Sequence, residues 1–470
     1  MRTIGVIFVV LLIASLAGAQ QRWAKTYGGA ANDAGNSVQQ TSDTGYVVAG
    51  YTNSFGAGGE DVYLVKANAS GDAVWSKAFG GLGGDYGYSV QQTSDGGYII
   101  AGITLSFGAG FRDIYLIKTD ASGDTLWTRT YGGANDDHGY SVQQTLDGGY
   151  IVAGGTNSFG AAGYDVYLVK TNADGDTLWT RRYGMALDEE AYSVQQTSDT
   201  GYIIAGFTTS FGAGRHDAYL IKTKANGDTV WTRNYSAGFA AEGQSVQQTS
   251  DTGYIIAGFS YPTAPRGYDF FLVKTKANGD TLWTRSYQGN GTDYGYSGRQ
   301  TADGGYIITG LTYNNPAFMY VYTIRTNAGG DTLWTRTYGG GGEQRGNSVR
   351  QTLDGGSIVA GYTNSFGAGN YDVYLIKTDA NGSVGVEEPG SGRKVMSGGI
   401  QAAPNPFVSF ARVPGHEAEQ FELYDISGKM VGTYRGDRIG EGLSPAVYFI
   451  KLDAEPGRSL RVVKVGTQGE

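Results

Sequence analysis

Residues 139 to 183 read GYSVQQTLDGGYIVAGGTNSFGAAGYDVYLVKTNADGDTLWTRRY. Tyr140 to Thr145 alternates polar and apolar side chains, the pattern of a strand with one buried face. Asp147-Gly148-Gly149 predicts a tight hairpin turn, because glycine accepts the positive φ such turns require. Tyr150 to Gly154 is continuously apolar and predicts a second strand buried on both faces. After a longer loop from Thr156 to Gly163, Asp165 to Lys170 predicts a third strand. Asn172 to Asp176 predicts another turn, and Thr177 to Tyr183 a fourth strand.

The unit recurs along the chain. Its tryptophan stands at Trp23, Trp75, Trp127, Trp179, Trp231, Trp283 and Trp334, spaced by 52 residues five times and by 51 once. Four short antiparallel strands in a period near 50 residues predict the blade of a β-propeller, which buries its faces only by stacking on copies of itself. The inner strand blocks begin near Asn36, Tyr88, Tyr140, Tyr192, Gln244, Tyr296 and Asn347, so seven blades are expected. The tryptophan strands are out of phase with these blocks. The first precedes every block, and Val386 stands where an eighth tryptophan was due. The expectation is an all-β, seven-bladed β-propeller over residues 20–386 whose N-terminal strand closes the last blade, which removes an open sheet edge.

Composition narrows the function classes. The 470 residues carry a net charge of -9, which argues against a nucleic-acid groove with its basic stripe. There are 78 glycines and 35 tyrosines, a mixture that fits turns and aromatic strands. No cysteine is present, so disulfides, thiolate metal sites, lipoprotein anchoring and cysteine nucleophiles are excluded. At the N-terminus, Arg2, an apolar run from Ile4 to Leu16 and Ala17-Gly18-Ala19 predict an export signal over 1–19, cleaved before Gln20 or Gln21. No other run is apolar for long enough to span a bilayer, so the mature chain is expected to have no transmembrane span.

The segment Tyr-Leu-Ile/Val-Lys, a turn, then Gly-Asp-Thr-Leu-Trp resembles the blades of quinoprotein-type propellers, where the tryptophan strand is outermost. Quinone-binding relatives typically carry paired cysteines and a central acidic calcium set, and this chain has no cysteine. After Val386 the text changes. Residues 387–401 predict a linker, and 402–470 a small β-sandwich tail. Ala403-Pro404-Asn405-Pro406-Phe407, Tyr424-Asp425-Ile426-Ser427-Gly428-Lys429, Val447-Tyr448-Phe449 and the strand Leu460 to Val465 resemble the C-terminal type A sorting domain of the type IX secretion system. Ala446 departs from the usual glycine before Val447. That resemblance implies the type IX machinery as a partner, and a secreted or outer cell-surface location in a Gram-negative-type bacterium.

Chemistry is sparse. His138, His216 and His416 have no companion at metal-ligand spacing. No G-x-S-x-G elbow is present, and Gly339 to Gly342 lacks the strand-to-helix context of a nucleotide loop. The turns around Asp120 and Asn172 hold calcium-like text without the distant glutamate of an EF-hand, so no cofactor is expected and calcium is the weak exception. Asp43, Asp95, Asp147, Asp199, Asp251, Asp303 and Asp354 recur in every unit and are expected to cap turns. Recurrence also makes the tryptophans structural, and Trp127→Ala is expected to cost roughly 3–5 kcal/mol. A ligand site is expected where units differ. Asp85, Asp137, Glu189 and Asp293 stand in the variable stretches after the tryptophan strands. Tyr261 and Arg266 fall in blade five, and Tyr313, Asn314 and Phe318 in blade six, where the repeat departs most. Loops on a rigid scaffold commonly carry binding. The expected function is a non-enzymatic binding or adhesion propeller for an extracellular polysaccharide or protein. The alternative is a glycan hydrolase or lyase using a pair of the acidic residues.

Overall fold

The computed structural model describes residues 22–385 apart from 161, 213–214, 263–266, 290 and 316–317, together with 420–425, 429–435, 438, 443–444, 446–451 and 459–464. The expected signal 1–19, the linker 387–401 and the Pro404 to Phe407 motif lie outside the described residues. The described residues are all-β, and no helix among them is long and apolar enough to cross a membrane.

Seven antiparallel sheets of four strands form the seven blades of a propeller. In blade 3 the strands run in chain order from Asp137–Gln144, the inner strand, through Tyr150–Thr156 and Asp165–Thr171 to Thr177–Tyr183, the outer one. Blade 7 supplies Gln344–Gln351, Ser357–Thr363 and Asp372–Thr378. Its outer strand is Trp23–Tyr27, paired from Trp23 opposite Lys377 to Tyr27 opposite Val373. The ring therefore closes through its two ends, as the phase offset of the tryptophans requires.

The second and third strands of blade 3 are buried at every residue, matching their unbroken apolar text. Each core unit belongs to two blades. One joins Ile99, Ala101, Ile114 and Leu116 of blade 2 to Val142, Val152 and Val169 of blade 3. Another joins Ile358, Ala360 and Leu375 of blade 7 to Val38, Val48 and Val65 of blade 1. At about 1.5–3 kcal/mol for each large aliphatic side chain buried, these junctions dominate the stability of the ring.

Every inner strand carries a bulge, in blade 3 between Gly139 and Ser141. The bulge brings the facing second strand so close that only glycine fits there. A Cβ on Gly154 would stand 1.7 Å from the His138 carbonyl oxygen. This close approach explains the recurring Ala-Gly at the end of the Tyr-Ile-Ile-Ala-Gly text.

The tryptophans occupy the outer strands and are half-buried, except Trp23 at 8% exposure. Each reaches the next blade. Trp127 meets Tyr150 edge-on at 5.9 Å, and Arg129 covers its other side at 5.5 Å. On the tight-turn face, Asp147 accepts hydrogen bonds from Thr145 Oγ1 at 2.5 Å and Gly149 N at 3.1 Å, and pairs with the buried Lys170 at 2.9 Å. Burial opposes ionisation of these turn aspartates, but hydrogen bonds from lysine, threonine and glycine outweigh it and bring Asp43 and Asp95 down to about 2.

The chain divides into two compact units, 1–393 and 394–470. The described part of the second is one four-stranded antiparallel sheet of Met430–Arg435, Gln420–Asp425, Ala446–Lys451 and Ser459–Lys464 in that spatial order. A second layer, as a sandwich needs, is not among the described residues. Gln420–Asp425 and Met430–Arg435 pair antiparallel with Tyr424 opposite Met430.

Candidate functional site

The seven inner strands surround a central channel with a volume of about 500 Å³. Its walls are built in rings, because equivalent residues of seven blades meet at one height. The serine after each bulge forms a structural ring. Ser141 Oγ accepts from Val194 N of the next blade at 3.1 Å, and Ser348 Oγ accepts from Val38 N at 3.3 Å across the closure. Above it, toward the longer loops, lies the ring of bulge residues, including Tyr88, Tyr140, Tyr192, Gln244 and Tyr296. Above that, the residue two before each bulge residue is Ala34, Tyr86, His138, Glu190, Glu242, Tyr294 or Arg345. No two neighbouring blades repeat there except the adjacent glutamates.

This upper region is a mouth of aromatic walls and a few charges. Ring contacts run from Tyr88 to Tyr140 at 5.2 Å, Tyr140 to Tyr192 at 5.4 Å, Tyr192 to Phe207 at 5.9 Å, and Phe207 to His216 at 4.7 Å. Tyr294 and Tyr296 lie parallel at 6.3 Å, and the Arg345 guanidinium sits 3.7 Å from the Tyr296 ring centre. His138 Nδ1 lies 3.0 Å from Glu190 Oε1, and Tyr140 Oη lies 3.1 Å from the same nitrogen. His216 Nδ1 lies 3.0 Å from Glu242 Oε1, while Gln244 donates to Glu242 Oε2 at 3.0 Å. The hydrogen bond to Glu242 raises the His216 pKa against the opposing effect of burial. Burial, and then the nearby glutamates, keep the Tyr140 and Tyr192 phenols protonated. They are therefore hydrogen-bond donors at every physiological pH.

The acidic residues singled out from sequence occupy other places. Asp85, Asp137, Glu189 and Asp293 are the first residues of inner strands rather than loop residues, and all are 0% exposed. Asp137 Oδ2 accepts from Gly133 N at 2.8 Å and Ser158 Oγ at 2.5 Å, tying its own blade's loops down. Glu189 does the same through Thr208 Oγ1 at 2.7 Å and Met185 N at 2.9 Å. All four anchor loops, the aspartates through one carboxylate oxygen, while Oδ1 of Asp85, Asp137 and Asp293 is buried without a hydrogen-bond partner. Asp113 of blade 2 is raised by burial and then by the Asp137 charge beside it. Among the described residues no group of three or more histidines, cysteines, aspartates or glutamates is placed to hold a metal. The calcium-like turns use their own oxygens: Asn172 Oδ1 accepts from Asp174 N at 3.0 Å and Asp176 N at 2.8 Å.

The aromatic candidates fall nearer the mouth. Tyr261 ends the second strand of blade 5 and contacts Tyr268 at 5.2 Å, which stacks on Tyr294 at 4.8 Å. Tyr313 stands close enough to Tyr294 and Tyr296 to influence their ionisation. Tyr313, Asn314 and Phe318 were read as a loop. They belong instead to a lengthened hairpin, Tyr306–Asn315 with Phe318–Thr326. Arg266 lies outside the described residues. The residues missed were His138, Tyr140, Tyr192, Glu242 and Arg345. His138, Glu242 and Arg345 were visible as departures within the inner strand text, whereas Tyr140 and Tyr192 repeat Tyr88 and Tyr296 and read as strand residues.

No family model matches this chain. The Regulatory protein FlaEY of Caulobacter vibrioides is 26% identical over 191 residues, covering 34% of this chain and 20% of that protein. The chain therefore spans about a fifth of that relative's length. Among solved structures, Sqt1 from Chaetomium thermophilum has a TM-score of 0.42 at 10% identity, covering 74% of this chain and 86% of that one. The quinohemoprotein alcohol dehydrogenase ADHIIG from Pseudomonas putida HK5 has a TM-score of 0.39 at 12% identity, with coverage of 83% and 79%. PorZ, a surface component of the type IX secretion system of Porphyromonas gingivalis, has a TM-score of 0.36 at 11% identity, with coverage of 88% and 65%. Likenesses of this size say nothing about ligand or activity; the chain is a repeat β-propeller with such neighbours.

Proposed function

We propose that this chain is a secreted or outer-surface propeller that binds an extracellular polysaccharide at the loop-side mouth of its channel and does not cleave it. The observation that carries the reading is the arc of rings Tyr88, Tyr140, Tyr192, Phe207 on one side and Tyr294, Tyr296 on the other, with donors and carboxylates between them. Aromatic faces stack on the apolar faces of sugars, and fixed polar groups between them select hydroxyl patterns. Export rests on the signal-like N-terminus and on the tail motifs that resemble a type IX sorting domain. The non-cleaving reading is favoured by the burial of Asp85, Asp137, Glu189 and Asp293, each of which accepts from a loop amide through a carboxylate oxygen.

The test is a screen of the full secreted chain on immobilised polysaccharides and on surface proteins, with calcium and with chelator, while product release is followed. Saturable glycan binding without new reducing ends is the expected result, weakened at least about tenfold by Tyr192→Ala or Tyr296→Ala. New reducing ends would favour the hydrolase or lyase reading instead. Binding only to protein would replace the sugar reading with adhesion, and calcium dependence would return the turn aspartates as ligands.

A further inference from the structure

On the tight-turn side of the serine ring, the repeat breaks at the second residue after the serine. In five blades that position is a glutamine whose Oε1 accepts the next blade's backbone N–H, as Gln143 does from Gln196 N at 2.6 Å and Gln247 from Gln300 N at 2.8 Å. In blades 6 and 7 the position holds Arg299 and Arg350. A guanidinium has five donors and no acceptor, so neither can make that link. Arg299 Nη1 instead donates to the carbonyls of Val246 and Gly298, both at 3.3 Å, and its Nε is buried without a partner.

Both arginines line the channel. The other walls at this depth are serine hydroxyls and glutamine amides, which are neutral. Burial depresses the basicity of both, to about 10 for Arg350, and the Arg350 charge depresses Arg299 further. No carboxylate acts on either one. Two guanidiniums on adjacent blades thus share a confined space with no counter-charge, in a chain whose net charge is -9. Both side chains are half-buried along the channel wall, where a cation without a counter-charge is costly and two that repel each other are more so. The planar fork of arginine matches the two oxygens of a carboxylate, phosphate or sulfate.

We propose that Arg299 and Arg350 form an oxyanion-binding site on the tight-turn side of the channel, separate from the mouth. The channel volume suits a small molecule or the acidic end of a chain rather than a folded partner. The site does not depend on what the mouth binds.

The experiment uses the full secreted chain and the variants R299Q, R350Q and R299Q/R350Q. Glutamine is the residue the other five blades use, so the double variant restores the interblade link and should fold. Sodium sulfate, phosphate, acetate and a short uronic-acid oligomer are compared with sodium chloride at matched ionic strength, by thermal melting and calorimetric titration. The parent is expected to bind at least one oxyanion saturably with a rise in melting temperature. Each single variant should weaken it at least about tenfold, and the double variant should melt no lower than the parent in chloride and lose the response. Preference for sulfate or phosphate identifies a tetrahedral ligand, and preference for the uronate identifies an acidic glycan. An equal response in parent and double variant, or none in the parent beyond chloride, overturns the site. Should the double variant misfold, R299K/R350K keeps both charges without the fork. Binding weakened by that change supports the proposal, and unchanged binding overturns it.

Discussion

The tight-turn face and the channel are made by neighbouring residues of one hairpin, yet they behave oppositely. Thr145, Asp147 and Lys170 form a network that recurs in all seven blades, with Arg325 replacing lysine in blade 6. A few residues earlier, position 138 of the same strand holds five different residue types across the seven blades, and position 140 is tyrosine in four blades but asparagine or glutamine in three. The turn network must be solved identically in every copy for the ring to close. The side chains pointing into the channel are not needed for blade pairing, so they are free to differ, and their differences meet at one axis. Repetition here marks what holds the ring, and departure marks what the ring holds.

The sharpest way to break the ring is to add one methyl at the bulge. Gly154→Ala places a Cβ 1.7 Å from a backbone oxygen, and a loss of more than about 3 kcal/mol in urea unfolding is expected. Gly148→Ala, in the turn with φ +83° and nothing near its added carbon, should cost only about 1 kcal/mol. Equal losses would mean that the bulge is not the constraint.

Trp127→Ala should cost about 2–4 kcal/mol, below the value for a fully buried tryptophan, because the side chain is only half-buried. The same measurement on Trp23→Ala should give the larger loss, since Trp23 is the most buried and fastens the closing strand.

Acid separates the two carboxylate classes. The turn aspartates have lowered pKa values, so their stabilisation is complete above the unfolded value near 3.8 and is lost as pH falls toward the folded value, about 2 for Asp43 and Asp95. Asp61, Asp113, Asp165 and Asp372 are raised, by burial first and a neighbouring carboxylate or, in Asp165, an acidic neighbour opposed by Arg182. These take up protons in the folded state first, so the fold gains from them as pH falls. Melting temperature should hold or rise slightly on mild acidification and then drop below about pH 4. A monotonic fall from pH 7 would show that the raised group is not strained.

The smallest effect compares blades directly. Thr44, Thr200 and Thr252 occupy turn positions with φ of 66°, 66° and 68°, where other blades use glycine. Thr200→Gly should stabilise by up to about 1 kcal/mol in thermal or urea unfolding, because a β-branched residue is strained there. No gain would mean that the loss of unfolded-state restriction cancels the relief.

Blade number, strand order and closure were legible because they follow from period and phase: seven tryptophans, seven inner blocks, and an offset that only a ring satisfies. The burial of the second and third strands was legible from continuous apolar text. What lay beyond reading was direction. Asp137 and His138 are adjacent in the chain, but one holds loops and the other turns into the mouth, and the bulge at Tyr140 shifts the simple alternation that would have told them apart. Arg299 and Arg350 were visible as departures from Val-Gln-Gln, yet they are 51 residues apart in sequence. Local hydrogen bonding and hydrophobic periodicity act over a few residues, so the sequence by itself determined the blade and the count. Only the closed ring, which brings one residue from each blade to the same height on the axis, decided which side chains meet.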